Sequence, residues 1–273
     1  MSGEQAPAVE VEEARAILDA RRELYGDSDP STLRAMTQLA NALRDLGEYR
    51  ESEALLRASI SVQNRSGDAD EARLTHTEFS LAIVLDRLGE TDAARRLWED
   101  VLEASDRQNG PESDLSVRAA INLAISLRKL GRYGDEFPLR VRILESTMRV
   151  KGPEDVDTYR ALVDLAQTHR NLGNHEMALS VFTEALAGLE RNGLDQRTLL
   201  YQKWAIASEL VALKRPKEAS RMFDEVVAGA IEHLDPDDPL RRSAVRQKRA
   251  YRLIGKFSRQ KKPKGKERPD AVT

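Results

Sequence analysis

The chain has 273 residues, 40% hydrophobic, 33% charged and 5% aromatic, with no cysteine and a net charge of −3. The lack of cysteine excludes disulfides, Cys-ligated zinc, iron–sulfur clusters and thiol catalysis; with no uncharged run longer than nine residues, a membrane-spanning helix is excluded as well. The charge is unevenly placed: residues 241–273 hold 13 of the 43 basic and 2 of the 46 acidic residues, a balance of +11 beside a body of −14, and such asymmetry bears on partners rather than on fold.

In chain order, the acidic start to Glu13 has no apolar stretch of the kind a secretory leader needs. Residues 1–11 are expected to be disordered and the protein cytoplasmic. Residues 12–25 read as the second helix of an incomplete leading repeat, with Ala14, Ile17, Leu18 and Leu24 inward. A frame then recurs: Leu39-Ala40, Leu43, Leu46-Gly47; Leu81-Ala82, Leu85, Leu88-Gly89; Leu123-Ala124, Leu127, Leu130-Gly131; Leu165-Ala166, His169, Leu172-Gly173. The four glycines stand 42 residues apart, and a fifth copy, Ile206-Ala207, Leu210, Leu213-Lys214, follows after 41 with its glycine replaced.

Apolar residues at i, i+1, i+4 and i+7 mark one face of an α-helix, and the glycine supplies the left-handed residue that stops it. A second amphipathic segment follows each stop, at about 49–64, 91–108, 133–150, 175–191 and 216–233, the last opened by Pro216. Acidic Gly/Pro loops such as Gly26-Asp27-Ser28-Asp29-Pro30 reset the frame. A helix pair with one apolar face cannot bury that face alone, so neighbours must stack. The expected fold is all-α, a right-handed superhelical solenoid of helix–turn–helix repeats, with a half repeat plus five repeats over 12–240. A capping helix follows over 240–257 and a basic disordered tail over 258–273.

The frame Leu-Ala-x-x-Leu-x-x-Leu-Gly-x-Tyr of Leu39 to Tyr49, echoed by Leu130-Gly131-Arg132-Tyr133, resembles the tetratricopeptide repeat. The 42-residue period and the loop Gly-x-x-Asp-Pro before Ser31-Thr32-Leu33 are similar to its kinesin-light-chain subtype. The small residue expected early in each second helix is Ser52, Ala94, Glu136, Ala178 and Ala219, so the third repeat is irregular. With Phe137-Pro138 following, a shifted start or a kink is expected there.

The resemblance implies a groove lined by first helices. Counted back from each helix stop, its residues are Arg34, His76, Arg118, Arg160 and Tyr201 at thirteen; Thr37, Phe79, Ile121, Val163 and Trp204 at ten; Asn41, Ile83, Ile125, Gln167 and Ser208 at six; and Arg44, Asp86, Arg128, Arg170 and Val211 at three. This is a cationic lining with an apolar strip. Arginine forks bind carboxylates bidentately, while Phe79, Ile83, Ile121 and Ile125 suit a bulky apolar anchor. Of the asparagines that the family places before Leu-Ala, only Asn122 is present; Gln38, Ser80, Asp164 and Ala205 replace the rest.

Chemistry finds little support. His76, His169, His175 and His233 have no metal spacing, and His169 occupies a core position where other copies carry Leu. Gly131-Arg132-Tyr133-Gly134 punctuates a helix and is not a phosphate loop. Trp98, Phe182 and Phe223 recur at repeat spacing, as core residues do. The expectation is a non-enzymatic scaffold without cofactor or metal, capturing an acidic and apolar peptide or helix of a partner protein. The alternative is a nucleic-acid or ribonucleoprotein adaptor working through the basic tail.

Overall fold

The computed structural model describes residues 5–65 and 70–248. They are all-α and fall into two compact units, one ending at Gly152 and one beginning at Pro153. The first unit holds α1 (Gln5–Tyr25), α2 (Pro30–Leu46), α3 (Tyr49–Arg65), α4 (Glu71–Leu88), α5 (Thr91–Asn109), α6 (Asp114–Lys129) and α7 (Tyr133–Lys151). The second holds α8 (Val156–Asn171), α9 (His175–Arg191), α10 (Gln196–Ala212) and α11 (Pro216–His233), then α12 over residues 239–248. Within each unit consecutive helices pack as helix–turn–helix pairs.

The two helices of a pair begin for different reasons. Each first helix is opened by a side chain that accepts a hydrogen bond from its first turn: Asp29 from Ser31 N, Asp70 from Arg73 N, Ser113 from Ser116 N, Asp155 from Asp157 N and Asp195 from Thr198 N. These bonds satisfy amide donors that a helix start leaves without partners. The second helices α5, α7, α9 and α11 have no side-chain cap. Second helices start directly from the turn that ends their partner; before α3, α5, α7 and α9 that turn holds Gly47, Gly89, Gly131 and Gly173, with φ of +71° to +96°. In each turn the glycine amide and the next one bond back to the helix, as Gly47 N to Arg44 O and Glu48 N to Leu43 O do. Lys214 closes the fifth turn with the same two bonds at φ +57°, the one non-glycine residue with positive φ among the described residues.

The repeat frame is the core. Leu39, Ala40 and Leu43 are buried, as are Leu81, Ala82 and Leu85; Leu123, Ala124 and Leu127; Leu165 and Ala166; and Ile206, Ala207 and Leu210. Trp98, Phe182 and Phe223 are fully enclosed, and each such side chain stabilises its unit by about 1.5–3 kcal/mol.

Three expectations need correction. Helix α1 begins at Gln5, inside the segment expected to be disordered. On it Leu18 is buried, but Ile17 and Leu24, expected inward, are 50% and 70% exposed. Helix α7 starts at Tyr133, 42 residues after Thr91, so its start is not shifted, and it runs through Pro138 to Lys151. The second half of the capping helix and the basic tail 258–273 lie outside the described residues.

Candidate peptide-binding faces

The first helices bring the groove positions together unit by unit. In the first unit, the row thirteen residues before the stop, Arg34, His76 and Arg118, is exposed. Arg118 is held there: its guanidinium lies 4.8 Å from the centre of the Phe79 ring and its Nη1 3.3 Å from Asp114, an arrangement that favours a cation over the ring face. Phe79 is buried and meets Trp98 edge-on at 4.9 Å. His76 Nδ1 donates to the Ala72 carbonyl at 2.8 Å. Ile83, Ile121 and Asn122 are half-buried and Ile125 is exposed, so an apolar strip runs beside the cationic row. Arg44 is half-buried, bound to Asn41 and Asp45. Asp86 accepts from Trp98 Nε1 at 3.0 Å and Lys129 Nζ at 3.1 Å.

In the second unit Arg160 is exposed and bound to Asp157 at 2.7 Å. Tyr201 is exposed, its ring 6.1 Å from that of Trp204. Val163 is buried and Gln167 half-buried.

Arg128 and Arg170 do something else. Arg128 reaches Glu136 Oε1 at 2.7 Å, and Arg140 donates to the same oxygen at 2.9 Å; Glu136 is fully buried. Arg170 binds Glu209, which is 2% exposed, donates to the Ala205 carbonyl at 3.2 Å and stacks over Phe182 at 4.8 Å. His175 Nδ1 donates to the other Glu209 oxygen at 2.8 Å. A buried carboxylate must be paired and hydrogen-bonded to persist, so both arginines serve their own unit and are not open anion ligands. The pairing acids are on other helices of the same unit: Glu136 is the irregular residue of the third repeat, and Glu209 stands where other copies have Ala42, Val84, Ser126 and Thr168. His169 is half-buried, and burial lowers its pKa, which favours the neutral ring.

Among the described residues no group of three or more acidic or histidine side chains is placed to hold a metal ion, and no helix is long and apolar enough to cross a membrane. What the faces offer is recognition: fixed cations beside an apolar strip on stacked helices. The helix pairs define an α-helical repeat protein. Tetratricopeptide-repeat models match residues 32–66, 76–100 and 161–197, and the chain belongs to the tetratricopeptide-repeat proteins.

Solved structures of similar fold include BtubC (BKLC) from P. vanneervenii, 21% identical with a TM-score of 0.66 over 85% of this chain and 95% of that one. A Podospora anserina chain of nearly identical TPR-like repeats, named for kinesin light chain, is 18% identical with a TM-score of 0.64 over 75% and 97%. YrrB, described as a TPR protein with an unusual peptide-binding site, is 17% identical with a TM-score of 0.59 over 86% and 99%. No curated protein matches the sequence.

Proposed function

We propose that the chain is a non-catalytic scaffold whose first-helix face captures a peptide or helix of a partner protein carrying acidic residues beside a bulky apolar one. The observation that carries this reading is in the first unit: the exposed row Arg34, His76 and Arg118 flanks Ile83, Ile121 and Ile125, with Arg118 stacked on Phe79. An arginine already ordered on a ring loses little freedom on binding, which favours its use as a carboxylate clamp. The apolar strip gives the area that acidic contacts alone lack. Arg44, Asn41, Asn122, Arg160 and Gln167 extend the same face within their units. YrrB's description supports a peptide ligand for this fold.

Selection from a displayed random-peptide library tests the reading, followed by fluorescence anisotropy on the winners. The expected consensus pairs Asp or Glu with Trp, Phe, Leu or Ile. The double variant Arg34→Glu, Arg118→Glu should bind about 10–100-fold more weakly, as loss of charge-assisted hydrogen bonds implies. A consensus without acidic residues, or affinity unchanged in the double variant, would overturn it.

A further inference from the structure

The first helix in the chain is a second helix by register. Helix α1 ends at Tyr25, 84 residues before the end of α5 at Asn109 and 126 before that of α7 at Lys151. Its Glu10, Ala14 and Ile17 therefore occupy the three positions, i, i+4 and i+7, by which a second helix meets the first helix of its own pair. In the complete repeats the residues equivalent to Ile17 are Ser59, Val101, Ile143, Ala185 and Val226, none more than 6% exposed, whereas Ile17 is 50% exposed. The equivalents of Glu10 are Ser52, Ala94, Glu136, Ala178 and Ala219, each fully buried; Glu10 is exposed. Among the described residues nothing covers its two ends, Glu10 and Ile17, whereas Ala14 between them is half-buried against the core of α1 and α2; in repeat arrays an end face is ordinarily polar.

The last helix is the complement. Helix α12 follows a second helix and an acidic loop, as first helices do, and packs Leu240 and Ala244 against Leu200, Val226 and Ala230. In the repeat register Lys248 falls 41 residues after Ala207, on the position where all five first helices carry a fully buried alanine. That alanine faces the small residue of the second helix, as the 2.6 Å bond from Ser52 Oγ to the Ala40 carbonyl shows. The two helices that lack a pair partner among the described residues thus carry opposite charges at the point of closest approach: Glu10 on α1 and Lys248 on α12. Around them α1 presents Glu12, Glu13, Asp19 and Glu23 beside the cations Arg21 and Arg22, so its surface is acidic on balance, and α12 presents Arg242 and Arg246. A charge at this junction already has a precedent within the fold, because Glu136 is buried there by pairing.

We infer that α12 of one copy docks on the exposed face of α1 of a second copy, completing a helix pair between chains and joining copies head to tail. Such a contact uses two different surfaces, so it propagates into an open chain unless geometry closes it. Lys248 Nζ stands 2.5 Å from Asp224 in the single chain and exchanges or shares that partner on docking.

Sedimentation equilibrium of the full chain over a concentration series provides the test. The expected result is a weight-average mass that climbs past the dimer, is lost in Ile17→Asp, Glu10→Lys and Lys248→Glu, and returns in the double variant Glu10→Lys, Lys248→Glu. Loss of the Asp224 pair alone has no reason to be rescued by a change on α1. Because the chain has no cysteine, the double variant Glu10→Cys, Lys248→Cys reports the same contact under oxidation as a ladder of disulfide-linked species that needs both cysteines. A monomer at every concentration, association indifferent to all three single changes, or cross-linking by Glu10→Cys alone that stops at the dimer would each overturn the inference.

Discussion

The two units solve one packing problem in opposite ways. Where first and second helix of a pair press together fourteen residues before the stop, the first unit places Leu33, Thr75 and Val117 opposite Val62, Ala104 and Ser146. The second unit places Tyr159 and Leu200 opposite Gly188 and Gly229, so close that a Cβ on Gly188 would fall 2.0 Å from the Tyr159 ring and one on Gly229 2.8 Å from Leu200. In the Tyr159–Gly188 pair volume has moved from the second helix to the first while the register stayed. A repeat therefore fixes where helices meet and leaves open which of them supplies the bulk. The buried carboxylates differ in the same spirit: Glu136 is gripped by two arginines, Glu209 by one arginine and a histidine.

The largest expected effect breaks the second of these contrasts. Arg170→Met leaves Glu209 buried beside His175 alone and should cost about 3–5 kcal/mol, the usual penalty for orphaning a buried charge. Arg128→Met leaves Arg140 on Glu136 and should cost about 1.5–3 kcal/mol, the worth of a hydrogen bond to a charged group. Trp98 and Trp204 fall one in each unit, so urea unfolding followed by fluorescence in single-tryptophan backgrounds assigns each loss. Equal losses for the two variants would show that the second cation on Glu136 adds nothing.

Next comes the packing swap. Gly188→Ala should destabilise the second unit by about 1–3 kcal/mol, as overpacking does. The Tyr159 ring cannot easily yield, because its hydroxyl is held by Glu154 at 2.6 Å and Arg191 at 2.7 Å. Adding Tyr159→Val, which installs the residue the first unit uses at Val117, should recover part of that loss. Strict additivity of the two changes in thermal unfolding would mean that Gly188 and Tyr159 are not coupled.

A smaller effect lies in the second pair of the first unit. Burial, and then the charge of Asp100, raise the pKa of Glu78; burial with Glu99 and Glu103 raise that of Asp100. The equivalent positions in the second unit are Lys203 and Glu225, an ion pair at 3.9 Å. Folding favours the protonated form of a carboxyl whose pKa it raises, so the stability present at low pH is lost as pH rises through the folded values. Glu78→Lys, which copies the second unit, should therefore gain about 0.2–1 kcal/mol at neutral pH. The gain should fade as pH drops through the carboxylate range, and a gain independent of pH would remove Asp100 from the account.

How far the sequence discloses this molecule follows from range. The Leu-Ala-Leu frame, the glycine stops and the second-helix bounds are legible because each depends on residues within one or two turns: the segments expected at 49–64 and 216–233 form as Tyr49–Arg65 and Pro216–His233. The exposed row Arg34, His76 and Arg118 is readable for the same reason, since spacing decides the face. The pairing of Arg128 and Arg170 is not legible in the spacing, because their acids are 8 and 39 residues away, on other helices. Gly188 and Gly229 suggest nothing in a one-dimensional reading, where an interior helical glycine is only a weak point; their meaning is the ring or side chain on the facing helix. Ile17 has the periodicity of a buried position, and no helix among the described residues buries it.

The smallest effect compares the five turns directly. Four close on glycine and the fifth on Lys214, with the same pair of backbone hydrogen bonds, Lys214 N to Val211 O at 3.0 Å and Arg215 N to Leu210 O at 2.8 Å. At φ +57° the lysine Cβ crowds its own backbone, a strain of about 1–2 kcal/mol for an L-residue. Replacing it by glycine removes that strain but gives the unfolded chain more freedom, which offsets about 0.4–1 kcal/mol of the gain. The side chain is exposed and no packing is lost. Lys214→Gly should therefore stabilise the second unit by about 0.5–1 kcal/mol, while Gly173→Lys, the reverse change at the turn between α8 and α9, should destabilise it by a similar amount. Chemical unfolding read through Trp204 measures both. If Lys214→Gly is neutral or destabilising while Gly173→Lys still costs stability, the fifth turn is not the strained counterpart of the other four.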